Sequence, residues 1–231
     1  MINSREETRR NTMKKNIWTL PLCLLLLLSV FPAPRLYSED QGWISNSLTV
    51  NINSHTRFVF FNDFRYHDVP FTDFYLSNWQ AGFLLNILKN VHVGVAYKRQ
   101  ETQELQYTLK ENRFIAEVGW RKALSRSLDL RCRFNAEIRK FAAYMAPRHL
   151  RFRMRFLLHY KLSILKLKTI PFIGVEPFFD TETNEISQNR WYAGVLFPIC
   201  KKIRLEIGYT RRDWKNREVL HILNTGLHIE L

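Results

Sequence analysis

The stretch LDLRCRFNAEIR, Leu128 to Arg139, decides how the rest of the chain is read. Leu128, Leu130, Cys132, Phe134, Ala136 and Ile138 take alternate positions. Asp129, Arg131, Arg133, Asn135, Glu137 and Arg139 take the positions between them. A helix would scatter both sets around its circumference, whereas a strand sends successive side chains to opposite faces. The stretch is therefore a strand with one greasy face and one charged face. The next segment repeats the pattern. Leu150, Phe152, Met154, Phe156, Leu158 and Tyr160 face one way, and Arg151, Arg153, Arg155 and His159 face the other.

The same period of two runs through most of the chain. Phe58, Phe60, Phe64 and Tyr66 oppose Arg57, Asp63 and Arg65. Phe114, Ala116, Val118 and Trp120 oppose Arg113, Glu117 and Arg121. Trp191, Ala193, Val195 and Phe197 oppose Gln188, Arg190 and Gly194, and Ile203, Leu205, Ile207 and Tyr209 oppose Arg204, Glu206 and Gly208. Connections alternate between short ones, such as Leu88–Asn90 and Lys161–Lys168, and longer polar ones, such as His67–Asp73, Arg99–Lys110 and Asp180–Ile186. Short turns on one rim and longer loops on the other, with strands of crossing length, describe a membrane barrel.

The N-terminus reads as an address. Lys14 and Lys15 precede the apolar run Leu20–Phe31, which Pro32-Ala33-Pro34 and a polar stretch follow. That is the pattern of a cleaved export signal, too short for a spanning helix. We expect a signal peptide over residues 1–38, cleaved after Ser38, and a barrel domain over 39–231. Met13 is a second candidate start. Cys23 follows the bulky Leu22, which argues against lipid attachment.

Export combined with alternation has one answer in lipid. Every backbone donor and acceptor must be paired there, so a sheet can enter only if it closes on itself. The expected fold is an all-β, antiparallel, closed transmembrane β-barrel in a Gram-negative-type outer membrane. Eleven segments are recognisable from Trp43–Ile52 to Val219–Leu231. Single-chain bacterial barrels have even strand counts. The expectation is therefore 10–12 strands with 12 preferred: either one more strand lies near the N-terminus, or one of the eleven does not join the barrel. A secreted soluble β-barrel or sandwich is the alternative, with the apolar face turned inward.

Composition narrows the rest. The chain has 231 residues, 46% apolar, with only 8 Gly and 8 Pro, which excludes disordered and collagen-like classes. Three Cys are too few for a disulfide scaffold. Removing residues 1–38 takes away six basic and two acidic groups, lowering the net charge from +14 to +10.

The inward face concentrates that charge. The candidate lumen cations are Arg113, Arg121, Arg131, Arg133, Arg139, Arg151, Arg153, Arg155, Arg190, Arg204 and Arg212. The acids expected to pair with them are Glu117, Asp129, Glu137, Glu176 and Glu206. One-to-one pairing leaves about six arginines over, and unpaired buried charge is costly. The surplus should see water or anions, and a charged ring in a pore selects the opposite sign. The expected role is a structural barrel or a small passive, porin-like channel with an anion-preferring lumen. Anionic solutes are candidate ligands. Lipopolysaccharide is a candidate partner for the rim bases Lys98, Arg99, Arg211 and Arg212.

Enzymatic signals are weak. None of His55, His67, His92, His149, His159, His221 and His228 falls into a recognisable sequence constellation with a Ser. No GxSxG, HExxH, CxxC or phosphate-cradling glycine loop occurs. We expect no enzyme, cofactor or metal. A lipid-modifying enzyme of the outer membrane is the alternative. Arginines that alternate within exported strands do not make a nucleic-acid patch.

The chain ends in NTGLHIEL, with Asn224, Gly226, Ile229 and Leu231 in key places. This resembles the C-terminal signal through which outer-membrane barrels are recognised by the assembly machinery, although those usually end in Phe. Further motifs are Gly42-Trp43, Glu111-Asn112-Arg113, Arg148 followed by Arg151, Arg153 and Arg155, Glu176-Pro177-Phe178, Gln188 to Gly194, and Glu206-Ile207-Gly208-Tyr209. In order and spacing they resemble a bacterial family of outer-membrane-barrel-like proteins catalogued as domain of unknown function 2490. The resemblance implies fold and location and supplies no catalytic residue.

Overall fold

The computed structural model describes residues 40–69, 71–142, 149–164, 167–215 and 219–231. The expected signal peptide and the candidate start at Met13 lie outside the described residues, as does Arg148. The described chain is all β. Its strands are β1 (Gln41–Asn51), β2 (Thr56–Tyr66), β3 (Phe74–Leu88), β4 (Val91–Gln103), β5 (Thr108–Ala123) and β6 (Leu128–Phe141). They continue as β7 (His149–Tyr160), β8 (Leu162–Ile164), β9 (Leu167–Asp180), β10 (Glu185–Pro198), β11 (Ile203–Trp214) and β12 (Leu220–Glu230).

Eleven of the twelve strands close a barrel, because β9 pairs with both β7 and β10 and β12 pairs back onto β1. The twelfth strand is not near the N-terminus. It is β8, a three-residue strand that folds onto the start of β9 within the connection expected to be a plain turn. The odd count has a topological consequence. Each hairpin reverses direction, so the eleventh stave runs the same way as the first, and the seam between β1 and β12 must be parallel. All other ladders are antiparallel.

The sorting of side chains matches the two-faced reading. Phe83, Val95 and Phe114 on the outer face are 52%, 65% and 60% exposed, while Glu137 and Glu176 on the inner face are 0% exposed. A soluble barrel would show the reverse. A surface of this kind is stable only against a nonpolar medium. Outer aromatics pack across neighbouring strands, as in Phe58 with Phe83 (centroids 5.5 Å apart) and Tyr97 with Phe114 (5.4 Å).

One rim carries the short turns, including Lys89-Asn90 between β3 and β4, and the chain ends there beside Asn51, whose N–H donates to Leu231 O (2.9 Å). The other rim carries the loop between β2 and β3. Two connections expected to be long on that rim shrink to Glu104–Tyr107 and Thr181–Asn184. Polar residues beyond Arg99 stay extended because they pair within the ladder. Arg99 binds Glu101 (2.8 Å), and Gln100 accepts from Arg113 Nη2 (2.9 Å).

Candidate functional site

The interior holds three groups of residues, each set by strand register. The first is a belt of shared ion pairs on β5, β6, β7 and β9. Glu137 takes Arg151 Nη2 and Arg153 Nη2, each at 2.6 Å, with Arg113 at 3.9 Å. Glu137 lies opposite Arg151 in the β6–β7 ladder, so the pairing follows from register. Glu176 takes Arg155 (2.9 Å) and the Tyr192 hydroxyl (2.5 Å). Arg133 lies between Glu117 and Glu176, 3.8 Å from each. With its amide nitrogen toward Glu117 (3.2 Å) and its oxygen toward Arg153 (2.8 Å), Asn135 links the two ends of this belt.

The acids of this belt are thus shared among arginines rather than paired one to one. Glu111, which the charge count omitted, holds both Arg113 (2.6 Å) and Arg139 (2.5 Å). Nearer the short-turn rim, Asp129 binds Arg121 (2.7 Å) and Lys161 (3.3 Å), and Arg204 reaches Glu230 (3.3 Å). Among the described residues, Arg131, Arg190 and Arg212 have no carboxylate within ion-pair distance. Lys98 and Arg212, expected as rim bases open to lipid headgroups, are buried inside the barrel at 7% and 6% exposure. Both occupy inward register positions, which overrides their nearness to a loop.

The second group surrounds Trp43. Its ring lies under the guanidiniums of Arg65 (3.9 Å), Arg190 (5.4 Å) and Arg212 (5.5 Å), and Arg190 also covers Phe178 (4.5 Å). Of the three, Arg65 reaches a carboxylate, Asp63 (3.1 Å), which is bonded also to Asn78. The Nε groups of Arg65, Arg190 and Arg212 are buried and find no protein acceptor among the described residues. Stacking on aromatic faces stabilises guanidiniums without neutralising them.

The third group lies at the parallel seam. The Ser47 hydroxyl is 2.7 Å from His228 Nδ1, and His228 Nε2 is 2.8 Å from Glu206 Oε2. Ser47 and His228 are direct partners across the seam, with Glu206 diagonal to His228 on β11. Glu206 therefore binds a histidine rather than the arginine expected for it. The absence of a Ser–His constellation in the sequence does not carry over to the fold, because these two residues are 181 positions apart in the chain. No local motif could have revealed the pair. The alternation places each of them inward, and only the ring closure brings them together.

A cavity of about 390 Å³ joins the second and third groups. Arg133, Arg153, Arg155 and Arg190 line it on one side, Ser47, His228 and Glu206 on another, and Val59, Phe61 and Leu84 supply an apolar wall. Of the C-terminal positions singled out in the sequence, Asn224 lines this cavity. Gly226 leaves the space beside His228 and Glu206 that a side chain would fill. Ile229 continues the seam ladder, and Leu231 lies at the short-turn rim.

A closed barrel with an apolar outer surface and an ionised interior defines the class: a membrane-spanning β-barrel. The chain belongs to the family described as protein of unknown function (DUF2490), whose model matches residues 40–218. Among solved structures it is similar to LpxR from Salmonella typhimurium, with 6% identity, TM-score 0.45, 76% of this chain and 83% of that one covered. It is also similar to the beta domain of the Bordetella autotransporter BrkA, with 12% identity, TM-score 0.46, and coverage of 73% and 81%. A third is the siderophore receptor PirA from Pseudomonas aeruginosa, with 12% identity, TM-score 0.33, and coverage of 76% and 34%. No curated protein matches the chain.

Proposed function

We propose that this protein is an outer-membrane barrel whose interior forms a small anion-accepting chamber, serving as a narrow passive passage of anionic preference. The observation that carries this reading is the cluster at Trp43: three guanidiniums gather on one ring, of which Arg65 alone reaches a carboxylate among the described residues, and all three keep buried Nε–H donors without a protein acceptor there. Such donors recruit water or an anion, because an unmet buried charge is strongly unfavourable. The shared-acid belt braces the wall beside the chamber. Small anionic solutes are the ligands this chemistry accepts. The leader over 1–38 would deliver the chain to the export machinery, and the end Asn224, Gly226, Ile229 and Leu231 would address it to the outer-membrane assembly machinery. Arg99 and Arg211 stay on the outer face near the loop rim, where lipopolysaccharide phosphates are the partner of matching charge.

The test is reconstitution of the folded barrel into planar bilayers under a potassium chloride gradient. The expected result is a small conductance with a reversal potential favouring chloride. A cation preference, or no conductance from demonstrably inserted barrels, would overturn the proposal.

A further inference from the structure

Ser47, His228 and Glu206 form a hydrogen-bonded chain that the anion chamber does not require. From their geometry we infer that the barrel is also a hydrolase, with Ser47 as nucleophile toward small carboxylic esters that carry an anionic group. The nucleophile stands independently of the proposed anion chamber; the anionic character of the substrate rests on it.

The geometry meets the requirements of an activated serine. The nucleophile needs a base within hydrogen-bond reach, and the base needs a third group to orient it. Ser47 Oγ is 2.7 Å from His228 Nδ1, and His228 Nε2 is 2.8 Å from Glu206 Oε2. In the tautomer protonated at Nε2, the ring donates to Glu206 and presents Nδ1 to accept the Ser47 proton. The roles of the two ring nitrogens are exchanged relative to the serine protease arrangement, with the same logic. All three residues sit on strands, so their positions are held by ladder hydrogen bonds on β1, β11 and β12.

A tie across the seam is the simpler role for these contacts. The neighbouring Ser45 shows what such a tie looks like: its hydroxyl donates to the backbone oxygen of Thr225 across the seam (3.3 Å). Ser47 departs from that, taking an imidazole that a carboxylate backs from the far side. The chain also opens onto the 390 Å³ cavity instead of being sealed in packing. His228 and Glu206 keep 24% and 26% side-chain exposure, so a substrate can reach them.

The cavity selects the substrate class. Arg133 and Arg155 provide positive potential for the developing oxyanion and for a carboxylate or phosphate on the substrate. Val59, Phe61 and Leu84 accommodate a short acyl group, and the volume excludes long-chain lipids. In the reaction, Ser47 Oγ bonds to the ester carbonyl carbon as its proton passes to His228 Nδ1. The carbon–alkoxy bond then breaks, and the alcohol leaves with that proton. Water attacks the acyl-serine by the same proton route, releasing the carboxylic acid and restoring Ser47.

The experiment treats the folded barrel in detergent with a fluorophosphonate, locates the adduct by mass spectrometry, and measures hydrolysis of 4-nitrophenyl acetate and 4-nitrophenyl hydrogen succinate. The expected adduct is on Ser47 of the wild-type protein. Ser47→Ala should abolish labelling, and His228→Ala should lower turnover by about 10²–10⁴-fold, both in protein that retains heat-modifiable migration. Preference for the succinate ester by about tenfold, the worth of one added favourable contact, supports the anionic substrate. Labelling of Ser47 without that preference supports the nucleophile and refutes anion selection. No adduct on Ser47 in the wild-type barrel, or an adduct on another serine alone, overturns the inference even if anion conductance is present.

Discussion

Glu137 receives the Arg151 guanidinium at 2.6 Å from the adjacent strand, and its own carboxylate is fully buried. A second guanidinium, Arg153, bonds the same carboxylate. One acid thus neutralises two guanidiniums of β7, and its loss would leave Arg151 without a carboxylate partner among the described residues and Arg153 with only the more distant Glu176 (3.8 Å). Glu137→Gln keeps the shape and removes the charge. We expect it to cost about 3–5 kcal/mol, read as a lowered unfolding midpoint by heat-modifiable migration. Glu230→Gln breaks the Arg204 pair at an exposed rim and should cost no more than about 1 kcal/mol. Equal midpoints for the two variants would contradict this account of the belt.

Arg190 and Arg151 both lie over the Phe178 ring, but Arg151 also holds a carboxylate whereas Arg190 has a second ring, Trp43, in its place. Arg190→Gln should therefore leave the fold nearly as stable, losing about 0.5–2 kcal/mol per cation–π contact. It should also shift the reversal potential toward zero. Arg151→Gln should show the opposite balance, with a marked loss of stability for a small change in selectivity. Bilayer recordings and unfolding curves on the two variants make the comparison.

Gly42 lies against the Phe71 ring, and a β-carbon there would press into it. Phe71 holds a left-handed backbone (φ 74°) and packs edge-on to Tyr66 at 5.6 Å, so the ring has little freedom to withdraw. Gly42→Ala should destabilise the barrel by about 1–3 kcal/mol through overpacking. Adding Phe71→Ala should recover most of that, which a double-mutant cycle in the unfolding midpoint would measure.

The Asp68 carboxylate caps the loop between β2 and β3. It accepts from the Thr72 hydroxyl and from the backbone N–H groups of Thr72 (2.9 Å) and Asp73 (2.8 Å). The Thr72 hydroxyl foremost, then these N–H groups, hold its pKa below the ordinary aspartate value. A depressed folded pKa means the contribution is complete above the unfolded value, about 3.9, and is lost as pH falls through the folded one. Limited proteolysis of this loop should stay slow down to about pH 4 and accelerate below it. Asp68→Asn should remove the pH dependence.

The parallel seam fixes which residues face each other. Asn46 is the partner of Leu227 there. With Cys23, Cys132 and Cys200 replaced by Ser, the pair Asn46→Cys and Leu227→Cys should form an intramolecular disulfide on oxidation, because partnered strand residues lie within bridging distance. Asn46→Cys with Thr225→Cys, two positions out of register, should not. Non-reducing electrophoresis of the unfolded chains separates the outcomes.

Much of this was legible in residue order alone. In Leu128–Arg139 the alternation assigns every side chain to a face, because strand periodicity is a local steric property. Burial confirms the assignment, with Asp129, Asn135 and Glu137 at 1%, 2% and 0% exposure. The choice between lipid outside and solvent outside was also legible, through uninterrupted alternation in strands of crossing length. The polar residues beyond Arg99 look like loop in the sequence but continue β4 to Gln103, because polarity reports on solvent and not on pairing. Lys98 is close to a loop in the chain, yet it is the ladder partner of the inward Arg113, which sets its face.

What the order of residues by itself determined is the two-faced strand, the sign of the interior charge and the approximate number of staves. What the tertiary structure alone decided is who meets whom. Eleven staves force a parallel closure, and that closure carries Ser47 to His228 and Trp43 into the midst of Arg65, Arg190 and Arg212. Facing is encoded over two residues; partnership across a ring depends on the register of every ladder between, and no short stretch of chain contains it.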